Sequence, residues 1–132
     1  MKIVINAIIK NLEENKFLII KRKSSDSIHP NKWCFPGGKS ESKEDIFTTL
    51  KREIKEETNL DLKDNFKQIS EYEYERPNKE ITFGLCFSCT SLNENIRLNE
   101  EIEDFKWITK EELSKYNHIE GLEKEVEKAF NQ

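Results

Sequence analysis

The 132-residue sequence is short of the residues that would settle its class quickly: it has four glycines, three prolines, three cysteines and two histidines. Three cysteines, Cys34, Cys86 and Cys89, cannot make a closed set of disulfides, so reduced thiols are expected. Cys86-Phe87-Ser88-Cys89 has redox-motif spacing but lies in an apolar run that reads as a strand, where residues three apart face opposite ways. With His29 and His118 both away from ligand spacing to a cysteine pair, a zinc site is not expected, and a hard, oxygen-liganded metal is the kind left open. No apolar run approaches the roughly 20 residues that span a bilayer, and the segment Met1 to Asn6 lacks the regions of a signal peptide. The expected setting is the cytoplasm, with no membrane partner. Clustered positive charge is missing too: the net charge is −4, so nucleic acid is not an expected partner.

What is present is acid and bulk. Charged residues make up 36% of the chain, while two Trp, three Tyr and eight Phe supply core material for one domain, read as residues 1–132. Lys2 to Lys10 and Lys16 to Lys23 are β-branched or apolar runs joined by the polar turn Asn11 to Asn15, which predicts two strands. Residues 24–32 read as loop, and Trp33 to Phe35 as a short strand that Pro36-Gly37-Gly38 should end. Ser42 has the character of a helix N-cap, and Ile46, Phe47, Leu50 and Ile54 then recur at helical spacing, predicting a helix from Lys43 to Thr58. Asn59 stands where a left-handed cap is wanted. Strands are expected at Phe66 to Arg76 and Glu80 to Thr90, with Pro77-Asn78-Lys79 as a hairpin turn, and at Ile102 to Ile108. The stripe Ile119, Leu122, Val126, Ala129 and Phe130 predicts a closing amphipathic helix.

The first helix carries more acid than its structure needs. At 100° per residue Glu53, Glu56 and Glu57 fall within an arc of about 100°, in the last turn, where the macrodipole disfavours anions. Glu57 lies between Glu53 and the apolar arc, at the edge of the core, and a cation is needed there. Lys51 and Lys55 are on the opposite side of the helix, whereas a divalent ion with oxygen ligands would relieve both the repulsion and the dipole. A solvated acidic face is the plain alternative in a chain this rich in glutamate.

The residues around these glutamates favour the metal. Gly38, five residues, Glu44, seven residues and then Arg52-Glu53-Ile54-Lys55-Glu56-Glu57-Thr58-Asn59-Leu60 resembles the Nudix box, with Asn59 where the family has Gly and Lys43 where many members have a second Gly. Asn31 to Lys39, Tyr72 to Thr82 and a Glu preceding Trp107 also look like MutT-type members. The resemblance implies an α/β fold, an α/β/α sandwich with a mixed sheet, and hydrolysis of the diphosphate linkage of a nucleotide with Mg²⁺, or Mn²⁺, as cofactor. By position Glu53, Glu56 and Glu57 match the metal ligands, joined by the Gly37 carbonyl and by Glu101, or its neighbour Glu100. Glu53 matches the usual general base, Arg52 the residue that orients it, and Glu44 a structural acid. Arg22, Lys23 and Lys39 are candidate phosphate contacts, and Phe35 a candidate stack for the base, weighed against a place in the core. The implied substrate is a nucleoside triphosphate, cut to monophosphate and pyrophosphate for nucleotide-pool sanitation. Pro77, 17 positions after Leu60, leaves ADP-ribose or another nucleoside diphosphate derivative as the alternative. A noncatalytic nucleotide-binding regulator is the third reading. MutT-type enzymes read the purine with an Asp-Asn pair where this chain has Tyr116-Asn117. A monomer or homodimer is expected.

Overall fold

A computed structural model describes residues 2–23, 31–40 and 44–131. The strands are β1 (Lys2–Asn11), β2 (Lys16–Arg22), β3 (Trp33–Cys34), β4 (Gly37–Lys39), β5 (Lys67–Glu75), β6 (Ile81–Thr90) and β7 (Ile102–Ile108), with helices α1 (Ile46–Thr58) and α2 (Leu122–Phe130). They form one mixed sheet in the order β3-β2-β1-β6-β5, in which β1 and β6 run parallel along their whole shared length and every other pairing is antiparallel.

Side-chain alternation along the strands divides the interior into two cores. Ile5, Ala7, Ile9, Leu18 and Ile20 point to one face and pack with Leu50 and Ile54 of α1; Ile8, Phe17 and Ile19 point to the other and pack with Leu122, Val126 and Ala129 of α2. The sheet is therefore the middle layer of an α/β/α sandwich, as expected. Cys89 falls in the first core and Cys86 in the second, so the two thiols lie on opposite faces of β6 and all three cysteines are free.

The sheet divides near its centre. β1 pairs with β2 only at Lys10↔Phe17 and Asn11↔Lys16, beside the hairpin turn in which Asn15 takes φ 56°. Beyond that point β1 gives its open edge to β4, through Val4↔Lys39, Ile5↔Gly38 and Asn6↔Gly37, while β2 gives its own to β3. β3 ends ahead of Pro36-Gly37-Gly38, as the sequence reading has it, but the glycines then open a further strand, β4, on a different partner, which that reading lacks. Gly37 is required by this close approach, since a Cβ there would lie 2.0 Å from the Ile5 carbonyl oxygen. The candidate site lies at this fork.

The start of α1 also differs from expectation. Ser42 and Lys43 lie outside the described residues, and the helix is capped by Asp45, whose carboxylate accepts from the Phe47 and Thr48 amides at 3.2 Å each. Its end is as expected: Asn59 is left-handed at φ 70° and donates its backbone N–H to the Lys55 carbonyl. Pro77 to Lys79 close the β5–β6 hairpin, with Lys79 at φ 72°. A 3₁₀ turn, Lys110–Lys115, precedes α2 and was not foreseen. Among the described residues no helix is long and apolar enough to cross a membrane.

Candidate active site

The last turns of α1 approach the fork from the α1 face. Glu57 is 2% exposed, on the core side of the helix with Leu50 and Ile54. The cation that its position demands is Arg22, at the end of β2: Nη1 donates to Glu57 Oε2 at 2.5 Å and Nη2 to the Gly37 carbonyl at 2.8 Å. The Gly37 amide donates to the other carboxylate oxygen, Oε1, at 3.2 Å. Arg22 has the same strand parity as Leu18 and Ile20, which turns it towards α1. A register shift between Lys21 and Arg22 on the β7 side, where Lys21 faces Asp104 and Arg22 faces Ile102, bends the strand at this point.

The second cluster is more open. Arg52 donates from Nη2 to Glu44 at 3.0 Å and from Nη1 to Glu53 at 3.3 Å and Glu56 at 3.4 Å, while Thr49 Oγ1 also donates to Glu44 at 2.7 Å. Glu44 and Arg52 thus tie the chain ahead of α1 to its middle turns and fix the position of Glu53. Lys51 and Lys55 are engaged on the far side of the helix by Asp64 and Asp61, as the helical wheel requires. Gly38 supplies room: a Cβ there would lie 2.5 Å from Cδ of Glu53.

Burial pushes the Glu57 carboxyl above its ordinary value, with Arg22 opposing the shift. Glu53 is also raised, first by burial and then by Glu56 and Glu101, with Arg52 opposing. Glu44 is lowered by its hydrogen bonds from Arg52 and Thr49. The charge of Glu101 reaches both Arg22 and Glu53. Its carbonyl accepts from the Lys23 amide at 3.0 Å, which joins the segment ahead of β7 to the end of β2.

The end of α1 is finished by chain that has no regular structure. The amides of Arg97 and Asn99 donate to the carbonyls of Thr58 at 3.0 Å and Glu57 at 3.3 Å, and Asn59 and Asn93 exchange further bonds with this segment. These donors offset part of the negative end of the helix, beside which the glutamates sit. Asn99 and Arg97 were missed from sequence because they act through backbone amides, which no residue type announces.

Not every expected contact gathers here. Phe35 is 4% exposed and meets Phe17 edge-on at 6.2 Å in the second core, so the ring is core packing and presents no face to a base. Lys39 pairs with Val4 and so belongs to the sheet face away from α1, and Lys23 lies exposed beyond β2. Arg22 is bound to the carboxylate cluster itself.

The donor set suits a hard divalent cation. Every candidate is oxygen, and Glu57 Oε2 and the Gly37 carbonyl already converge on one positive group. Among the described residues no three acidic, histidine or cysteine side chains close on a common point as they stand, because the glutamates are turned towards Arg52 and Arg22.

The candidate site is therefore a carboxylate-rich helix end at a fork in a mixed sheet, held by two arginines. The chain belongs to the Nudix family: residues 2–129 match the model of the NUDIX domain. It is 31% identical over 111 residues to the nucleoside triphosphatase NudI of Salmonella paratyphi B, covering 76% of this chain and 78% of that protein. Among solved structures, a MutT NUDIX hydrolase from Burkholderia pseudomallei has a TM-score of 0.81 at 20% identity, covering 96% of each chain. A MutT protein from Methanosarcina mazei Go1 has a TM-score of 0.81 at 22% identity, covering 98% of this chain and 93% of that one. The protein is a Nudix-type pyrophosphohydrolase that cleaves the diphosphate linkage of a nucleotide, and enzymes of this family generally use a divalent metal.

Proposed function

We propose that the substrate is a nucleoside or deoxynucleoside triphosphate, cut to the monophosphate and pyrophosphate with Mg²⁺ as the cation, in the manner of nucleotide-pool sanitation. The observation that carries this reading is that the end of α1 meets β4, with Glu57 bonded to the Gly37 amide and Glu53 packed against Gly38. The relatives named nucleoside triphosphatase support the choice of substrate.

In this reading Glu53, Glu56, Glu57, Glu101 and the Gly37 carbonyl hold the cation. When bound, it neutralises the diphosphate oxygens and makes an attacking water more acidic. Glu53 accepts the proton of that water at a carboxylate oxygen, while Arg52 on Oε1 fixes its direction. The Gly37 amide holds Glu57 through Oε1, which keeps this carboxylate at the β4 side of the fork. Arg22 is the basic side chain best placed for a phosphate oxygen. Pro77 lies in the β5–β6 turn, and ADP-ribose stays the alternative substrate. All box glutamates are present, which favours an enzyme over a binding module. The three free thiols accord with a cytoplasmic setting.

The test is product analysis with Mg²⁺ and a panel of dNTPs, 8-oxo-dGTP, ADP-ribose and dinucleoside polyphosphates. Monophosphate and pyrophosphate from a triphosphate, lost in Glu53→Gln, are expected. AMP with ribose 5-phosphate would move the substrate to the ADP-ribose class, and no turnover on any member would replace the enzyme with a nucleotide-binding regulator.

A further inference from the structure

Two of the oxygens assigned to the cation are already taken by a single side chain. Arg22 spans Glu57 Oε2 on α1 and the Gly37 carbonyl on β4 with its two terminal nitrogens, at 2.5 and 2.8 Å. These acceptors come from different elements and share no covalent route shorter than 20 residues, so their convergence on one guanidinium marks a position built for positive charge. A guanidinium and a divalent ion at this position compete for the same two oxygens and repel each other.

We propose that Arg22 is the resident cation of the metal-free enzyme and is exchanged for the divalent ion when that ion binds. The inference rests on the metal reading of the site given above. In the metal-free state the guanidinium neutralises a carboxylate that is 2% exposed and keeps the Gly37 carbonyl aimed at it. The site is thus assembled before the ion arrives, and ion affinity is set by competition with an internal charge. Arg22 is the last residue of β2 and its side chain is 22% exposed, so the release that the exchange requires starts from a strand end already open to solvent. Once released, it is a free, always-charged donor beside the ion and the Glu101 charge, where phosphate oxygens would accept from it. Stand-in cation and phosphate contact are then successive states of one residue, and a nucleotide that engages Arg22 tightens ion binding as well.

The test is Mn²⁺ binding at pH 8 without nucleotide, followed by electron paramagnetic resonance of the free ion, in wild type, Arg22→Lys and Arg22→Met. Arg22→Met is expected to bind Mn²⁺ at least about five-fold more tightly than wild type, because a charge-assisted pair no longer has to be broken. Arg22→Lys should fall between them. Should Arg22→Met fail to fold without metal, the wild-type protein decides: in a Mg²⁺ titration the Arg22 guanidinium nitrogen resonance should move with the same midpoint as binding. Equal or weaker Mn²⁺ affinity in Arg22→Met, or an Arg22 resonance that stays fixed while the ion binds, would overturn the exchange and leave the metal site standing. Absence of ion binding in every variant would remove the metal reading itself, and the exchange with it.

Discussion

On the α2 face of the sheet, Leu122, Val126 and Ala129 cover Ile8, Phe17 and Ile19 without a buried charge; on the α1 face the same strands meet Leu50, Ile54 and, one turn later, the buried carboxylate of Glu57. Both helices are amphipathic and both pack by the same spacing of apolar positions. The difference is that α1 continues past its core contacts into the fork of the sheet, and its last apolar-side position is given to an acid. The α2 face is packed by apolar side chains, while the α1 face accepts a buried ion pair, seldom the most stable use of such a position.

Substitutions can break this comparison on either side. The largest expected effect is on the α1 face: Glu53→Gln should lower kcat by about 10²–10⁴-fold, the usual worth of a general base, with a melting temperature close to wild type. Steady-state kinetics beside a thermal melt checks both halves. On the α2 face, Leu122→Ala should cost about 2–5 kcal/mol by denaturant titration, and the protein that stays folded should keep its activity. The reverse pattern for either variant would show that the faces do not divide the work.

The glycines sharpen the contrast. A Cβ on Gly84 would lie 2.0 Å from the ring of Tyr72, which also accepts a hydrogen bond from Asn6. Gly84→Ala should therefore destabilise the fold by about 1–3 kcal/mol through displacement of that ring. In Gly38→Ala the new methyl meets the carboxyl end of the Glu53 side chain instead, so the loss is expected in kcat, about ten-fold, with less change in stability.

The smallest effect concerns pH. Burial pushes the Cys34 thiol up to about 11 and Cys89 up to about 12, from 9.0. Their folded-state values are raised, so the stability they contribute is fully present below pH 9 and is lost as pH rises towards 11 and 12. Native protein at pH 8 should react slowly with a disulfide reagent, and chemical stability should decline between pH 9 and 11, less so in Cys89→Ala.

Much of this arrangement could be read in advance because its causes are local. The spacing of Ile46, Leu50 and Ile54 gave the helix, Asn59 its stop, and the helical wheel both the glutamate stripe and the need for a cation beside Glu57. The identity of that cation was not legible: Arg22 lies 35 residues away in sequence and is brought in by strand parity and a register shift in β2. The same holds for β4, whose Pro36-Gly37-Gly38 reads locally as a stop and becomes a strand only because β1 has a free edge to offer. Asp45 supplanted Ser42 as the cap because the periodic stretch of α1 begins just after it. The capping box Thr109 and Glu112 on the 3₁₀ turn was visible in the sequence as Thr-x-x-Glu and went unused. Phe35 shows the converse: its type suited a stacking role, but its neighbours decided its place.

The segment from Ser91 to Asn99 has the composition of a surface loop, the kind of chain in which insertions and deletions usually pass without harm. Here its amides are counted against the helix carbonyls, Arg97 to Thr58 and Asn99 to Glu57, while the Asn95 carbonyl accepts from the Asn59 side chain and the Asn93 side chain donates to the Asn59 carbonyl. A single added residue between Asn95 and Arg97 would put this part of the chain out of step with the end of α1 and, through Glu101, with the fork. Its freedom to vary in length is therefore that of a strand, although its freedom to vary in residue type is that of a loop.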